Sequence, residues 1–264
     1  MARLRPHVTH VLRLAAVALF GALLGCHRPT PLADDAGPGV AAPLQRPAGS
    51  AEARSGSIEG RVLWRGPRPA LPRLATTASV QGVCGTSVED NSLRLDAQGG
   101  VADAVVWVDA AAEGAPAVAE ESAVVLNQRG CLYWPPVLAA RALGVLRIRN
   151  SDPLTHTVHG IDRGQTVFNV AMPLEQMQLI RRLPPQPGVL DIRCDVHPWM
   201  RATIRTFDHS HFTTTGPDGR FRLSGLSPGQ WQLHLWHPKL AEASRAVQVA
   251  EGATASDFEL GGRP

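Results

Sequence analysis

The stretch Cys194-Asp195-Val196-His197-Pro198-Trp199-Met200 sets a thiol, an imidazole and a thioether within seven residues. These are donors that copper favours, and a mononuclear blue centre needs one Cys and two His near a plane plus a weak axial Met. The loop supplies three of the four, so the missing ligand is a distant His. Upstream, His156-Thr157-Val158-His159 offers two candidates, and Met172 and Met177 are alternative axial donors on a separate segment. Without a metal the same loop reads as a buried small apolar Cys194, an ordinary His197 and core filler at Met200.

Dispersed ligands need a rigid frame, and the chain supplies strands. With 44% apolar and 19% charged residues a sizeable core can form, and 25 Gly plus 22 Pro favour turn-rich β architecture over helical bundles. From Ser57 onward short β-rich runs recur between turn signals: Ile58–Trp64, Ala102–Asp109, Ala123–Asn127, Val145–Asn150, Gln178–Leu183, Val189–Cys194 and Arg201–Phe207. Gly219–Leu223, Gln230–Trp236, Ala246–Val249 and Phe258-Glu259-Leu260 follow. Val189–Cys194 delivers the thiol. Val145–Asn150 runs into the turn Ser151-Asp152-Pro153-Leu154-Thr155 and then into His156. Strand alternation after that turn aims one of the two histidines at a metal, and His156 is preferred; His159 shapes the loop.

This pattern resembles the cupredoxin family, in its amicyanin- and plastocyanin-like form: a strand ending in Asn150, a His six residues later, then C-x2-H-P-aromatic-M at Cys194, His197, Pro198, Trp199 and Met200. The resemblance spans residues 120–207, and Leu132-Tyr133-Trp134-Pro135 with Gly144–Ile148 looks like the strand pair before the His loop. It implies one type 1 copper held by His156, Cys194, His197 and Met200, a carrier of single electrons rather than an enzyme, and a redox partner of the cytochrome or dehydrogenase kind. His197 would be the electron exit, with Pro198 and Trp199 supplying an apolar patch. Thr157 departs from the family, which has Asn there to bridge the two ligand loops; its hydroxyl is a substitute. Copper enzymes related to the family place a His directly before the Cys, and here that residue is Arg193. Copper delivery or sensing, or a structural surface lipoprotein, are the other readings.

Thr213–Leu223 followed by Gly225–Leu233 resembles a carboxypeptidase-regulatory-like, transthyretin-like module, a second small antiparallel β-sandwich. The same module opens with strands like Gly56–Val62 and Ala104–Val108, so the cupredoxin could be inserted within it. The expected fold is therefore all-β. Its parts are an N-terminal β segment over 56–119, a cupredoxin Greek-key β-sandwich over 120–207 and the module over 208–264, the last able to pair with 57–110.

Arg3, Arg5 and Arg13 precede an apolar run, Leu14 to Leu24, that reads as an export signal over residues 1–25. Leu23-Leu24-Gly25-Cys26 resembles a bacterial lipobox, which implies lipidation of Cys26 and an exported, periplasmic or outer-membrane lipoprotein. Residues 26–55, rich in Pro, Ala and Gly, read as a disordered tether to the membrane. The net charge of +3 vanishes with the signal, which removes support for a nucleic-acid surface. Of the four cysteines, Cys26 goes to lipid and Cys194 to copper. Cys84 and Cys131 remain as a disulfide in an oxidising compartment, against the alternatives of two free thiols or a second metal site.

Overall fold

The computed structural model describes residues 55–109 and 123–261. The expected signal, Cys26, the tether up to residue 54 and all of 110–122 lie outside them. Among the described residues no helix is long and apolar enough to cross a membrane.

The chain is all-β. It opens with β1 (Gly56–Trp64), β2 (Arg73–Ala75), one turn of helix at Gln81–Cys84, β3 (Ser87–Glu89) and β4 (Val105–Val108). β2 and β3 form a small antiparallel hairpin. All four residues of β4 are buried, as its unbroken apolar sequence Val-Val-Trp-Val requires.

Nine strands follow: β5 (Val124–Arg129), β6 (Leu132–Trp134), β7 (Val137–Arg141), β8 (Val145–Asn150), β9 (His156–Asp162), β10 (Gln165–Met172), β11 (Gln178–Arg182), β12 (Gly188–Arg193) and β13 (Arg201–Phe207). They make a five-stranded sheet, β10-β9-β12-β13-β7, and a four-stranded sheet, β11-β8-β5-β6. Alternation sets the faces. In β8 Leu146 and Ile148 are buried and Arg147 and Arg149 exposed; in β12 Leu190 and Ile192 are buried while Asp191 and Arg193 are exposed. The core holds Leu126, Tyr133, Leu138, Leu146, Ile148, Val158, Leu190 and Ile192 together with Met172, Cys194 and Met200.

The last strands are β14 (Phe212–Thr214), β15 (Arg220–Leu226), β16 (Gly229–Trp236), β17 (Ala243–Val249), β18 (Gly252–Ala255) and β19 (Phe258–Leu260). They do not form a sandwich alone. One sheet runs β15-β1-β18 with β19 also on β1, and the other runs β14-β4-β16-β17. The strands on either side of β5–β13 thus share one core, in which Ile58, Val62, Val106 and Val108 pack with Phe221, Leu223, Leu233, Leu235 and Phe258. β18 and β19 run parallel to β1 while β15 runs antiparallel. The sandwich expected to be antiparallel is therefore mixed at β1, because the chain end returns alongside its own beginning. Val105, Trp107, Val137, Ala139 and Phe207, with Phe212 and Trp236 against them, form an apolar seam between the two sandwiches.

Candidate metal centre

β12 carries the inward alternation of Leu190 and Ile192 one step past its end, and Cys194 is buried at 3% exposure. The loop then closes on itself: the N–H of Met200 donates to the carbonyl of His197 at 2.9 Å, and that of Cys194 to the carbonyl of Met200 at 3.3 Å. This folds His197 back over the thiol, with Nδ1 3.7 Å from Sγ. His156, the first residue of β9, shares the inward face with Val158, and its Nδ1 lies 2.9 Å from Nδ1 of His197. The three donor atoms all lie within 4.8 Å of one another, and all three residues are buried.

The tautomer of His156 follows from its other nitrogen. Nε2 lies 3.0 Å from Oδ2 of Asp152, a carboxylate that accepts, so Nε2 carries a proton and Nδ1 is the nitrogen turned to the cluster. Two imidazole nitrogens and a sulfur converge at a buried site, with the thioether residue Met200 fully buried in the same cluster. That donor set fits copper. Met172, the cross-strand neighbour of His156, is also fully buried in the cluster, and Met177 packs partly buried against it.

The charges are organised for a thiolate. Burial works against ionisation of Cys194 but is outweighed by His156, by the N–H and O–H of Thr157 and by the N–H of Val196, so its pKa is lowered. Burial also opposes a charged His156, and Asp152 and Cys194 outweigh it, raising that pKa. Burial and the neighbouring His156 lower His197. For Asp152 burial is overcome by His156 and by the N–H groups of Cys131 and Gly130, and its pKa falls.

Around the donors the remaining predicted residues take distinct places. Asn150 is fully buried; its amide donates to the carbonyls of Leu154, Met172 and Leu174 at 2.8, 3.0 and 3.2 Å, which fixes the loop leading to His156. Thr157 bridges the two ligand loops: its hydroxyl accepts the Asp195 N–H at 2.7 Å, and its own N–H lies 3.4 Å from Cys194 Sγ. His159 is apart from the donors, bonded to Asp195 at 2.8 Å and Thr166 at 2.7 Å. Cys84 and Cys131 form a disulfide across 47 residues, and Cys194 is the free cysteine among the described residues.

The surface at the expected exit, His197, is formed by its neighbours. His197 is only 3% exposed. Trp199 lies tilted beside it, ring centroids 5.1 Å apart, and is tied down by its indole N–H to the Cys131 carbonyl at 3.0 Å. Pro198 is exposed, as is Val196. The outer surface of this loop is thus made by Asp195, Val196 and Pro198.

Two contributors were not legible as site residues. Asp152 read as a turn former, and its position four residues before His156 was the available signal. Tyr133, fully buried, donates its hydroxyl to the carbonyl of Thr157 at 2.5 Å and also reaches that of Arg193 at 3.1 Å, pinning both ligand strands. Burial, reinforced by the Cys194 charge, holds that phenol protonated.

No protein-family model and no curated protein matches the sequence. Among solved structures, an M98Q mutant of amicyanin in the Cu(I) state is 20% identical over 32% of this chain and 82% of that one, with a TM-score of 0.29. A purple cupredoxin from Nitrosopumilus maritimus is 20% identical over 31% of this chain and 98% of that one, at a TM-score of 0.27. The Cu-containing nitrite reductase from Thermus scotoductus SA-01 is 23% identical over 37% of this chain and 25% of that one, at 0.29. The chemistry of the site rests on its own residues.

Proposed function

We propose that this chain is a type 1 copper protein that carries single electrons at the cell envelope. The observation that carries the reading is the convergence of His156 Nδ1, Cys194 Sγ and His197 Nδ1 within 4.8 Å, all buried. His156, Cys194 and His197 would hold the ion, with the buried thioether of Met200 as a fourth donor. When bound, copper supplies a one-electron Cu(II)/Cu(I) couple; the protein's part is to keep the donors fixed and dry.

The surroundings favour a carrier. Asp152, Thr157, Tyr133 and Asn150 lock the donors through hydrogen bonds from several strands, so little has to move when the charge on the ion changes. Buried donors also favour retention, whereas a delivery protein must surrender its cargo. A copper enzyme of the nitrite-reductase type is disfavoured at the position before Cys194, where an exposed Arg193 stands in place of the second-site His. Export, lipidation at Cys26 and a redox partner of the cytochrome or dehydrogenase kind complete the proposal, and the regulatory-like sandwich serves as the frame.

The test is retention against exchange in the copper-loaded full chain. A carrier shows one reversible one-electron wave and keeps its copper for hours in a chelator of moderate affinity. Loss of copper to the chelator within minutes, without a reversible wave, would favour delivery.

A further inference from the structure

On the copper reading above, both histidines are held from behind by one element, the two-residue turn Gly130–Cys131 between β5 and β6. Arg129 pairs with Leu132 across it, and φ is positive at both turn residues, 61° at Gly130 and 58° at Cys131. Positive φ at both central positions is the requirement of the type I′ hairpin turn. Glycine adopts it freely, but for a residue with a Cβ the left-handed region is unfavourable. Something must keep Cys131 there. The disulfide to Cys84 anchors its side chain, and its backbone is engaged on both sides.

The turn aims its two N–H groups at one buried carboxylate. Gly130 donates to Oδ1 of Asp152 at 2.7 Å and Cys131 to Oδ2 at 2.9 Å. The same Oδ2 receives Nε2–H of His156 at 3.0 Å. The carbonyl of Cys131 receives the indole N–H of Trp199 at 3.0 Å, and that ring lies against His197. One residue therefore reaches the first histidine through its N–H and the second through its C=O.

We propose that Asp152 and the Cys84–Cys131 disulfide are positioning residues of the copper centre. Asp152 fixes the tautomer, orientation and basicity of His156, and the disulfide pins the turn that holds both Asp152 and Trp199. A carboxylate behind a ligating imidazole makes it a stronger donor and raises metal affinity. Here it favours Cu(II) over Cu(I), and the covalent staple extends that influence to the hairpin carrying β2 and β3.

The experiment is a double-mutant cycle in the full chain: wild type, Asp152→Asn, Cys84→Ser with Cys131→Ser, and all three substitutions together. The readouts are the Cu(II) dissociation constant by chelator competition, the reduction potential by voltammetry and the copper-free thermal midpoint. We expect folded Asp152→Asn to bind Cu(II) about 10–100-fold more weakly and to have a more positive potential. The serine pair moves both quantities in the same direction, and Asp152→Asn has a smaller effect in that background, since the two act through one turn. Unchanged affinity and potential in a folded Asp152→Asn, or fully additive effects, overturn the proposal. Should Asp152→Asn not fold, Trp199→Phe takes its place, keeping a ring on His197 and removing the bond to Cys131. A shift in its potential that disappears without the disulfide supports the proposal, and no shift overturns it. If wild type binds no Cu(II), the copper reading falls together with this one. Wild-type binding with a silent Asp152→Asn sinks the positioning role alone.

Discussion

The guanidinium of Arg205 lies 4.1 Å above the ring of Trp107. Arg205 belongs to β13, which begins directly after Met200, and Trp107 to β4 of the other sandwich. The same guanidinium is 5.1 Å from the ring of Trp236 and 3.8 Å from Glu242. Phe207, two residues on, stacks against Phe212 at 4.7 Å. The strand that leaves the ligand loop is thus clamped to the second sandwich by a cation between indoles.

Removing that clamp should cost stability without touching the copper colour. A partly desolvated cation–π contact contributes about 0.5–2 kcal/mol, and the Arg stem adds packing. Arg205→Ala should lower unfolding stability by about 1–3 kcal/mol, with Arg205→Lys recovering part of it. Chemical denaturation of both variants checks this, and an unchanged midpoint in Arg205→Ala would remove the clamp from the account.

Met200 can be separated from Met172 by conservative replacement. Both are fully buried in the cluster that holds Cys194, and Met→Leu keeps volume at a cost below about 1.5 kcal/mol. Met200→Leu should change the visible spectrum and the reduction potential while leaving the fold intact; Met172→Leu should leave both nearly unchanged. The reverse pattern would make Met172 the thioether donor.

Thr157 should matter through its hydroxyl. Thr157→Val removes the acceptor for the Asp195 N–H, a loss of about 1 kcal/mol, and loosens the link between the two ligand loops. Copper should pass to a chelator faster than from wild type, with Thr157→Ser restoring retention. Equal release rates for the Val and Ser variants would assign the bridge elsewhere.

His237, buried in the second sandwich, gives a pH dependence with a definite sign. Burial, helped by Lys239, pulls its pKa from 6.5 to about 4. Between those values the unfolded chain binds a proton that the folded chain excludes, so stability is full above pH 6.5 and falls as pH drops toward 4. At about 1.4 kcal/mol per unit the loss reaches about 3 kcal/mol. His237→Asn, which keeps an acceptor for the Lys239 N–H that now bonds Nδ1, should flatten that part of the profile. Urea unfolding at pH 7 and pH 4.5 for both chains measures it, and parallel profiles would contradict the assignment.

The candidate cluster is legible because its information is local: Cys194 and His197 are set by short spacing, and His156 by a strand that ends at Asn150. Asp152 and Tyr133 were not, since a Ser-Asp-Pro turn and an apolar Leu-Tyr-Trp run carry no sign of what lies across the sheet. β10 is hidden in the sequence because an edge strand with mostly exposed side chains has little alternation to detect. β7, Val-Leu-Ala-Ala-Arg, is five residues long with no polar alternation, and is set by parallel pairing with β13. The pairing of β1 with β15 depends on contacts more than 150 residues apart, of which residues 57–110 and 208–260 gave only a resemblance.

The central claim is that His156, Cys194 and His197 hold one copper through a thiolate bond. The direct measurement is the visible absorption of the full chain titrated with Cu(II), beside Cys194→Ala. An intense blue thiolate-to-copper band is expected, saturating at one equivalent, bleaching reversibly with reductant and missing from Cys194→Ala. A folded wild-type chain that takes up no Cu(II), or a band that survives in Cys194→Ala, would contradict it.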